Sequence, residues 1–342
     1  MAEKPSILLI YTGGTIGMVK NQETGALQPF NFENLLSKVP EINQLNVSLS
    51  SYSFEPVIDS SDMTPEIWER LALLIEKNYS LYDGFVILHG TDTMSYTASA
   101  LSFMFHNLSK PVVLTGSQLP LGSIPTDGRQ NLITAVEIAA SYENGKAVVP
   151  EVTVFFGAKL YRGNRTSKYS SEDFEAFTSH NYPSLAKAGI HIHFRKYLIS
   201  HPESNNFYVL PKMDSNVILL KIFPGITQQT IEAICSMPHL KGIVIETYGS
   251  GNAPTVNWYG EALKSAVERG VIVLNVSQCQ SGSVNMSHYE SGLKLLKLGV
   301  ISGYDSSTEA AVTKLMYLLG NYTDKNQIIE KLKVSMRGEI NV

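Results

Sequence analysis

The chain has 342 residues, 44% of them hydrophobic and 17% charged, with 27 Lys plus Arg against 31 Asp plus Glu for a formal net charge of −4. That length suggests roughly two domains with a sizeable core, and the charge balance gives no support for a nucleic-acid or membrane surface. No apolar run approaches the roughly 18 residues of a membrane helix, and no secretory signal is seen; two distant cysteines, Cys235 and Cys279, form neither a metal spacing nor a disulfide framework, which suits a reducing cytoplasm.

The first apolar run, Ser6-Ile7-Leu8-Leu9-Ile10, stops at YTGGTIGM, Tyr11 to Met18. A short apolar run ending in glycine and hydroxyl residues reads as a buried parallel strand meeting a helix start. The stretch Phe54 to Ile58 reads as extended and closes on Asp59-Ser60-Ser61-Asp62-Met63. A helix is predicted over 65–78: Thr64 can cap it, Pro65 fits its first turn, and Ile67, Leu71, Leu74 and Ile75 share a face. The run Gly84 to Leu88 then ends in HGTDTM, His89 to Met94, followed by a helical pattern through Ala98, Leu101, Phe105 and Leu108. Further strands are predicted at 111–115 and 151–156, with a helix after Asp127-Gly128 through Leu132, Val136 and Ala139.

Strand and helix alternating in this way predict an α/β fold with a larger N-terminal, doubly wound, mostly parallel sheet. Near residue 190 the texture changes. Gly189 to Phe194 alternates like a half-exposed strand and leads into the polar stretch His201 to Asn206. The α/β rhythm restarts at 217–222 and continues at 242–246 and 271–276. This predicts an N-terminal domain over 1–191, a linker over 192–213 and a smaller C-terminal α/β domain over 214–342.

Ligands of open α/β sheets bind at the carboxyl ends of the strands. Thr15 and Thr91 are therefore candidates for one crevice, and a threonine hydroxyl is a nucleophile once a base takes its proton. Asp92, beside Thr91, suits the ammonium of an amino-acid substrate. Ser60 and Ser61 can donate hydrogen bonds to a carboxylate. Lys168, in Arg162-Gly163-Asn164-Arg165-Thr166-Ser167-Lys168, can move protons if partly desolvated. Each motif alone has an ordinary alternative: a βα turn, a helix cap or a solvated basic loop. His191 and His193 share a face of one strand but lack companions for a zinc site, and the remaining histidines are scattered.

Taken together the segments resemble the bacterial-type L-asparaginases, most closely the cytoplasmic type I group. TGGTIG and HGTDTM carry the resemblance, supported in order by DSSDM, TGSQLP (115–120), YRGNRTSK, YGSGNAP (248–254) and SQCQSGSVNM (277–286). It implies an amidohydrolase converting L-asparagine and water to L-aspartate and ammonia. Thr15 would be the nucleophile, forming a β-aspartyl ester. Thr91, Lys168 and Asp92 would handle protons, with Asp92 also on the substrate ammonium. Ser60, flanked by Asp59 and Ser61, would hold the α-carboxylate. No metal and no organic cofactor would be needed, and a homodimer or homotetramer is implied, with Asn252 and Tyr289 directed at a neighbouring subunit's site.

The sequence departs from the family in two places. The lid after the first motif, Val19 to Pro29, holds no tyrosine, and Ala26 occupies about the expected position. Glu246 stands where some type I enzymes carry an arginine of an allosteric asparagine site; an acid there would repel a carboxylate. Two other functions use the same crevice. One is the amidase subunit of a tRNA-dependent amidotransferase, disfavoured by the overall acidity and the position of the first motif. The other is an amino-acid-binding module without turnover.

Overall fold

The computed structural model describes residues 4–20, 27–29 and 39–342. The chain divides into two compact units, Met1–Pro211 and Lys212–Val342. The predicted linker, 192–213, overlaps the larger unit, whose sheet holds residues 192–194 and which runs on to Pro211.

The larger unit is built on eight strands: β1 (Ser6–Tyr11), β2 (Ser48–Ser53), β3 (Gly84–Leu88), β4 (Val112–Thr115), β5 (Val152–Phe156), β6 (Lys159–Arg162), β7 (Ala186–Ala188) and β8 (Ile192–Phe194). They are ordered β8-β7-β6-β5-β4-β3-β1-β2. The five from β5 to β2 run parallel, and β6, β7 and β8 add antiparallel pairs at one edge. Every residue of β3, β4 and β5 is buried, as expected where both faces of a parallel sheet are covered. Their aliphatic side chains carry roughly 1.5–3 kcal/mol each of burial free energy.

Three helices connect the parallel strands: α1 (Pro65–Asn78), α2 (Met94–Met104) and α3 (Gly128–Ala139). In α1 the fully buried stripe is Trp68, Leu71, Ala72 and Ile75, while Ile67 and Leu74 are half-buried. The face is thus turned slightly from the predicted one, because the indole of Trp68 is drawn in to donate to Thr97 Oγ1 on α2 at 2.9 Å. Helix α2 stops at Met104, short of the predicted Leu108. Phe105–His106 pairs instead with Tyr208–Val209, and Asn107 takes a positive φ of 53°. The strand before the DSSDM segment is Ser48–Ser53 rather than 54–58. Its serine-rich, nowhere fully buried residues suit an edge strand and carry no continuous apolar run.

The smaller unit holds a four-stranded parallel sheet, β9 (Val217–Lys221), β10 (Gly242–Thr247), β11 (Ile272–Ser277) and β12 (Ile301–Ser302), in that order. Its core gathers Ile243, Ile245, Val273, Tyr259 and Leu263. Inside this unit the Lys314 ammonium pairs with the Glu339 carboxylate at 2.6 Å, both buried, and Glu339 also accepts from the N–H groups of Met336 and Arg337. Among the described residues no helix is long and apolar enough to cross a membrane.

Candidate active site

The larger sheet brings its chemistry together by register. Tyr11 pairs with Leu88 on one side and Ser53 on the other, and Leu88 pairs with Thr115. Four adjacent strands therefore end at one level, so the segments that follow them emerge side by side. The chain moves from β1 outward to β2 and then back across to β3. The crevice between the ends of β1 and β3 is thus the switch point where α/β sheets bind ligands.

Hydrogen bonds stitch the exits together. Thr12 donates to the Leu88 carbonyl from both its N–H (3.0 Å) and its hydroxyl (2.9 Å), and its own carbonyl accepts from Ile58 N at 2.7 Å. The two threonine motifs then touch through glycines. A Cβ on Gly14, which sits at φ 90°, would lie 2.5 Å from the Gly90 backbone, and a Cβ on Gly90 would lie 2.4 Å from Ser60 Oγ. Neither distance is compatible with a side chain. The TGGT, HGTD and DSSD segments are thereby pressed into one cluster.

Thr15 opens a short turn, Thr15–Gly17, and is partly exposed. Among the described residues its hydroxyl has no hydrogen-bond partner. Tyr11 lies buried beneath this turn, its hydroxyl where a Gly17 side chain would be, and burial pushes that phenol up to about 12. It stays protonated at neutral pH. The backbones of Met18–Lys20 and Leu27–Pro29 pair as an antiparallel ribbon. Ala26, where a lid tyrosine was expected, lies outside the described residues.

Thr91 accepts from the Lys168 ammonium at 2.8 Å, and the same Nζ pairs with Asp92 Oδ1 at 2.6 Å. Lys168 is 18% exposed, Asp92 63%. With its oxygen accepting from Lys168, the Thr91 hydroxyl donates to Gln118 Oε1 at 3.4 Å. Lys168 reaches the site from a two-residue strand, Ser167–Lys168, paired with Phe177–Thr178. The turn before it is anchored by the buried Arg162–Glu151 pair: Nε donates to Oε2 at 2.7 Å and Nη2 to Oε1 at 3.1 Å, while Ser200 N also donates to Oε1.

Ser60 is buried, and its carbonyl accepts from the Thr93 hydroxyl at 2.7 Å. The Asp59 carboxylate accepts from Ser61 N at 2.9 Å and caps the Ser60–Asp62 turn. Thr15, Asp59, Ser60, Ser61, Thr91, Asp92 and Lys168 thus all belong to the larger unit. Gln118, Thr93 and His89 lie inside the quoted motifs, but residue type and spacing assign them no individual role in the site. Gln118 sits in the TGSQLP segment, where the Asp127 carboxylate holds its N–H. Among the described residues no group of three or more His, Cys, Asp or Glu could hold a metal ion. Asn252 and Ser291, in the smaller unit, share a hydrogen bond of 2.8 Å from Ser291 Oγ to Asn252 Oδ1.

Comparison with known proteins agrees over both units. Residues 6–200 match the family described as Asparaginase, N-terminal, and residues 216–332 match the Glutaminase/Asparaginase C-terminal domain. The chain is 42% identical over 339 residues to L-asparaginase 1 of Escherichia coli (strain K12), covering 99% of this chain and 98% of that one. The fold is similar to the crystal structure of L-asparaginase I from Vibrio cholerae, with a TM-score of 0.90, 41% identity, and 99% and 100% of the two chains covered. The thermostable L-asparaginase from Thermococcus kodakarensis gives a TM-score of 0.90 at 32% identity, with 98% and 99% covered. With the match running through both units, the chain belongs to the asparaginase family and is an amidohydrolase enzyme.

Proposed function

We propose that this enzyme hydrolyses L-asparagine to L-aspartate and ammonia in two steps, through an ester on Thr15. The observation that supports the reading is the Lys168 ammonium held on both Thr91 and Asp92, together with the close contact of Gly14, the residue before Thr15, with Gly90, the residue before Thr91. In the first step Thr15 Oγ attacks the side-chain amide carbon, the C–N bond breaks, and the Thr15 proton leaves with the nitrogen as ammonia. In the second, water attacks the ester and restores the Thr15 hydroxyl. Backbone N–H groups of the glycine-rich turn supply the oxyanion stabilisation.

A weak nucleophile of this kind needs a neighbouring base. The Thr91–Lys168 pair fits that need: the proton is passed along the Thr91 hydroxyl and the Lys168 side chain, and Asp92 keeps Lys168 in place. Positioned proton transfer of this sort typically contributes about 100- to 10,000-fold. The largely exposed Asp92 carboxylate also receives the substrate's α-ammonium, and the buried Ser60 hydroxyl receives its α-carboxylate. Asp59 acts by holding Ser61 N and so shaping that turn. No metal and no organic cofactor takes part.

Glutamine is the expected poorer substrate, since one methylene usually discriminates by only about 10- to 200-fold. The chain works in the cytoplasm as an isologous dimer or a dimer of dimers, with Asn252 and the half-exposed Tyr289 turned toward a neighbour's site. The test is ammonia release from the purified protein on asparagine, combined with mass spectrometry after a rapid acid quench. An aspartyl adduct on Thr15 supports the reading. An adduct elsewhere, or turnover with no adduct and direct attack by solvent, overturns it.

A further inference from the structure

We infer that His89 is a positioning residue for the reaction, its imidazole holding the Gly90–Thr91 peptide in place as the Nδ1–H tautomer. This rests on the role of Thr91 proposed above. The tautomer follows from the partners. His89 Nδ1 lies 2.7 Å from the Gly90 carbonyl oxygen, which only accepts, so Nδ1 carries the proton. Nε2 is then the acceptor, and its neighbour at 2.8 Å is the Thr97 hydroxyl, which donates to it. With its proton committed, Thr97 Oγ1 accepts from the Trp68 indole N–H at 2.9 Å. Direction is therefore fixed at every link, from Trp68 on α1, through Thr97 on α2, to His89 and the Gly90 carbonyl.

All three side chains are buried, Thr97 and His89 fully. Burial pushes the imidazole down to about 4, so it stays neutral and keeps one donor and one acceptor. The consequence for the site is geometric. A trans peptide points its C=O and N–H to opposite sides. With the Gly90 carbonyl turned to the imidazole, the Thr91 N–H faces away from it. The Cα of Gly90 is at the same time pressed against Gly14 and the Ser60 hydroxyl, where no side chain fits. Rotation of this one peptide would shift Thr91 relative to both Lys168 and the Thr15 turn. A misplacement of about 1 Å costs on the order of 100-fold in rate.

The test compares His89→Leu, which removes the donor, with His89→Asn, whose side-chain N–H stands where Nδ1–H stands. The expected result is a kcat about 10- to 100-fold lower for His89→Leu with KM changed less than about threefold, and recovery of most of that loss in His89→Asn. A folded His89→Leu with wild-type kcat overturns the inference, as does a His89→Asn no better than His89→Leu. Nitrogen-15 NMR reads the tautomer in the wild-type enzyme itself. A buried neutral imidazole protonated at Nδ1, assigned by its loss in His89→Asn, is expected, and protonation at Nε2 overturns the inference. Thr15→Ala, assayed alongside, separates the two proposals: if it is inactive while the His89 variants turn over normally, only the positioning role fails.

Discussion

Lys168 reaches from its own short strand to place Nζ 2.8 Å from the hydroxyl of Thr91, a residue 77 positions earlier in the chain. The contact joins a turn anchored by the buried Arg162–Glu151 pair to the exit of a central strand. Its third member, Asp92, is open to water, so solvent screens the ion pair and its stabilising effect is small. In the proposed mechanism the arrangement serves to aim a proton-carrying group at the crevice.

On the proposed mechanism, Thr15→Ala removes the covalent route while leaving the crevice intact. Turnover should fall by several orders of magnitude, about 1,000-fold or more, with asparagine binding retained. Steady-state ammonia release and calorimetry on the same preparation check both halves. Near-normal kcat would take the nucleophile away from Thr15.

Lys168→Met removes the proton carrier and keeps the length of the side chain. If the interaction belongs to the chemical step, as proposed, kcat should drop about 100-fold or more with little change in binding. A change confined to KM would make Lys168 a docking residue.

Asp92→Asn keeps the shape of the side chain and loses its charge. Recognition of the α-ammonium should weaken, raising KM more than it lowers kcat. The check is an asparagine analogue lacking the amino group: the variant should discriminate against it far less than the wild type does, and unchanged discrimination would contradict the assignment.

His89 ties stability to pH. Its imidazole is pushed down to about 4 in the fold, against 6.5 in the unfolded chain, through burial. Between these values the unfolded chain binds the extra proton. The contribution is thus fully present above about pH 6.5 and is lost as pH falls through 4. The gap corresponds to about 3 kcal/mol. Urea unfolding from pH 7 to 4 should therefore be less steeply pH-dependent in His89→Asn than in the wild type, the carboxylates being common to both. Equal slopes would show that His89 does not carry this dependence.

Glu246 is a paired acid: its carboxylate accepts from the Thr308 hydroxyl at 2.6 Å and lies 3.3 Å from Lys221 Nζ. A second asparagine carboxylate would meet like charge at that position. Asparagine saturation should accordingly be hyperbolic, in wild type and in Glu246→Ala alike. A sigmoidal curve that Glu246→Ala abolishes would show the opposite.

The elements with strong local signals were legible in the residues. The apolar runs that became β1, β3, β4 and β5 are buried on both faces, so their composition alone marks them. The edge strand Ser48–Ser53 was not legible. Four of its six side chains are serines and its strand character comes from pairing with β1, a contact between distant segments. Helix α2 is shorter than its apolar period suggests, because Phe105 continues that period while its backbone pairs with Val209.

The sequence by itself determined which groups the chain owns: two threonine motifs at strand ends, a carboxylate beside one of them, a serine-rich turn and a lysine, each marked by residue type and local context. Only the tertiary structure decided which of them meet. Strand register sets four exits at one level, the Gly14–Gly90 contact closes the gap between the motifs, and a turn anchored far from the crevice brings in Lys168. His89 shows the same division. Its motif was plain, but its tautomer and its hold on the Gly90 carbonyl depend on partners from two helices. Local propensity is written residue by residue, whereas such contacts arise from packing between segments tens of residues apart, which periodicity cannot report.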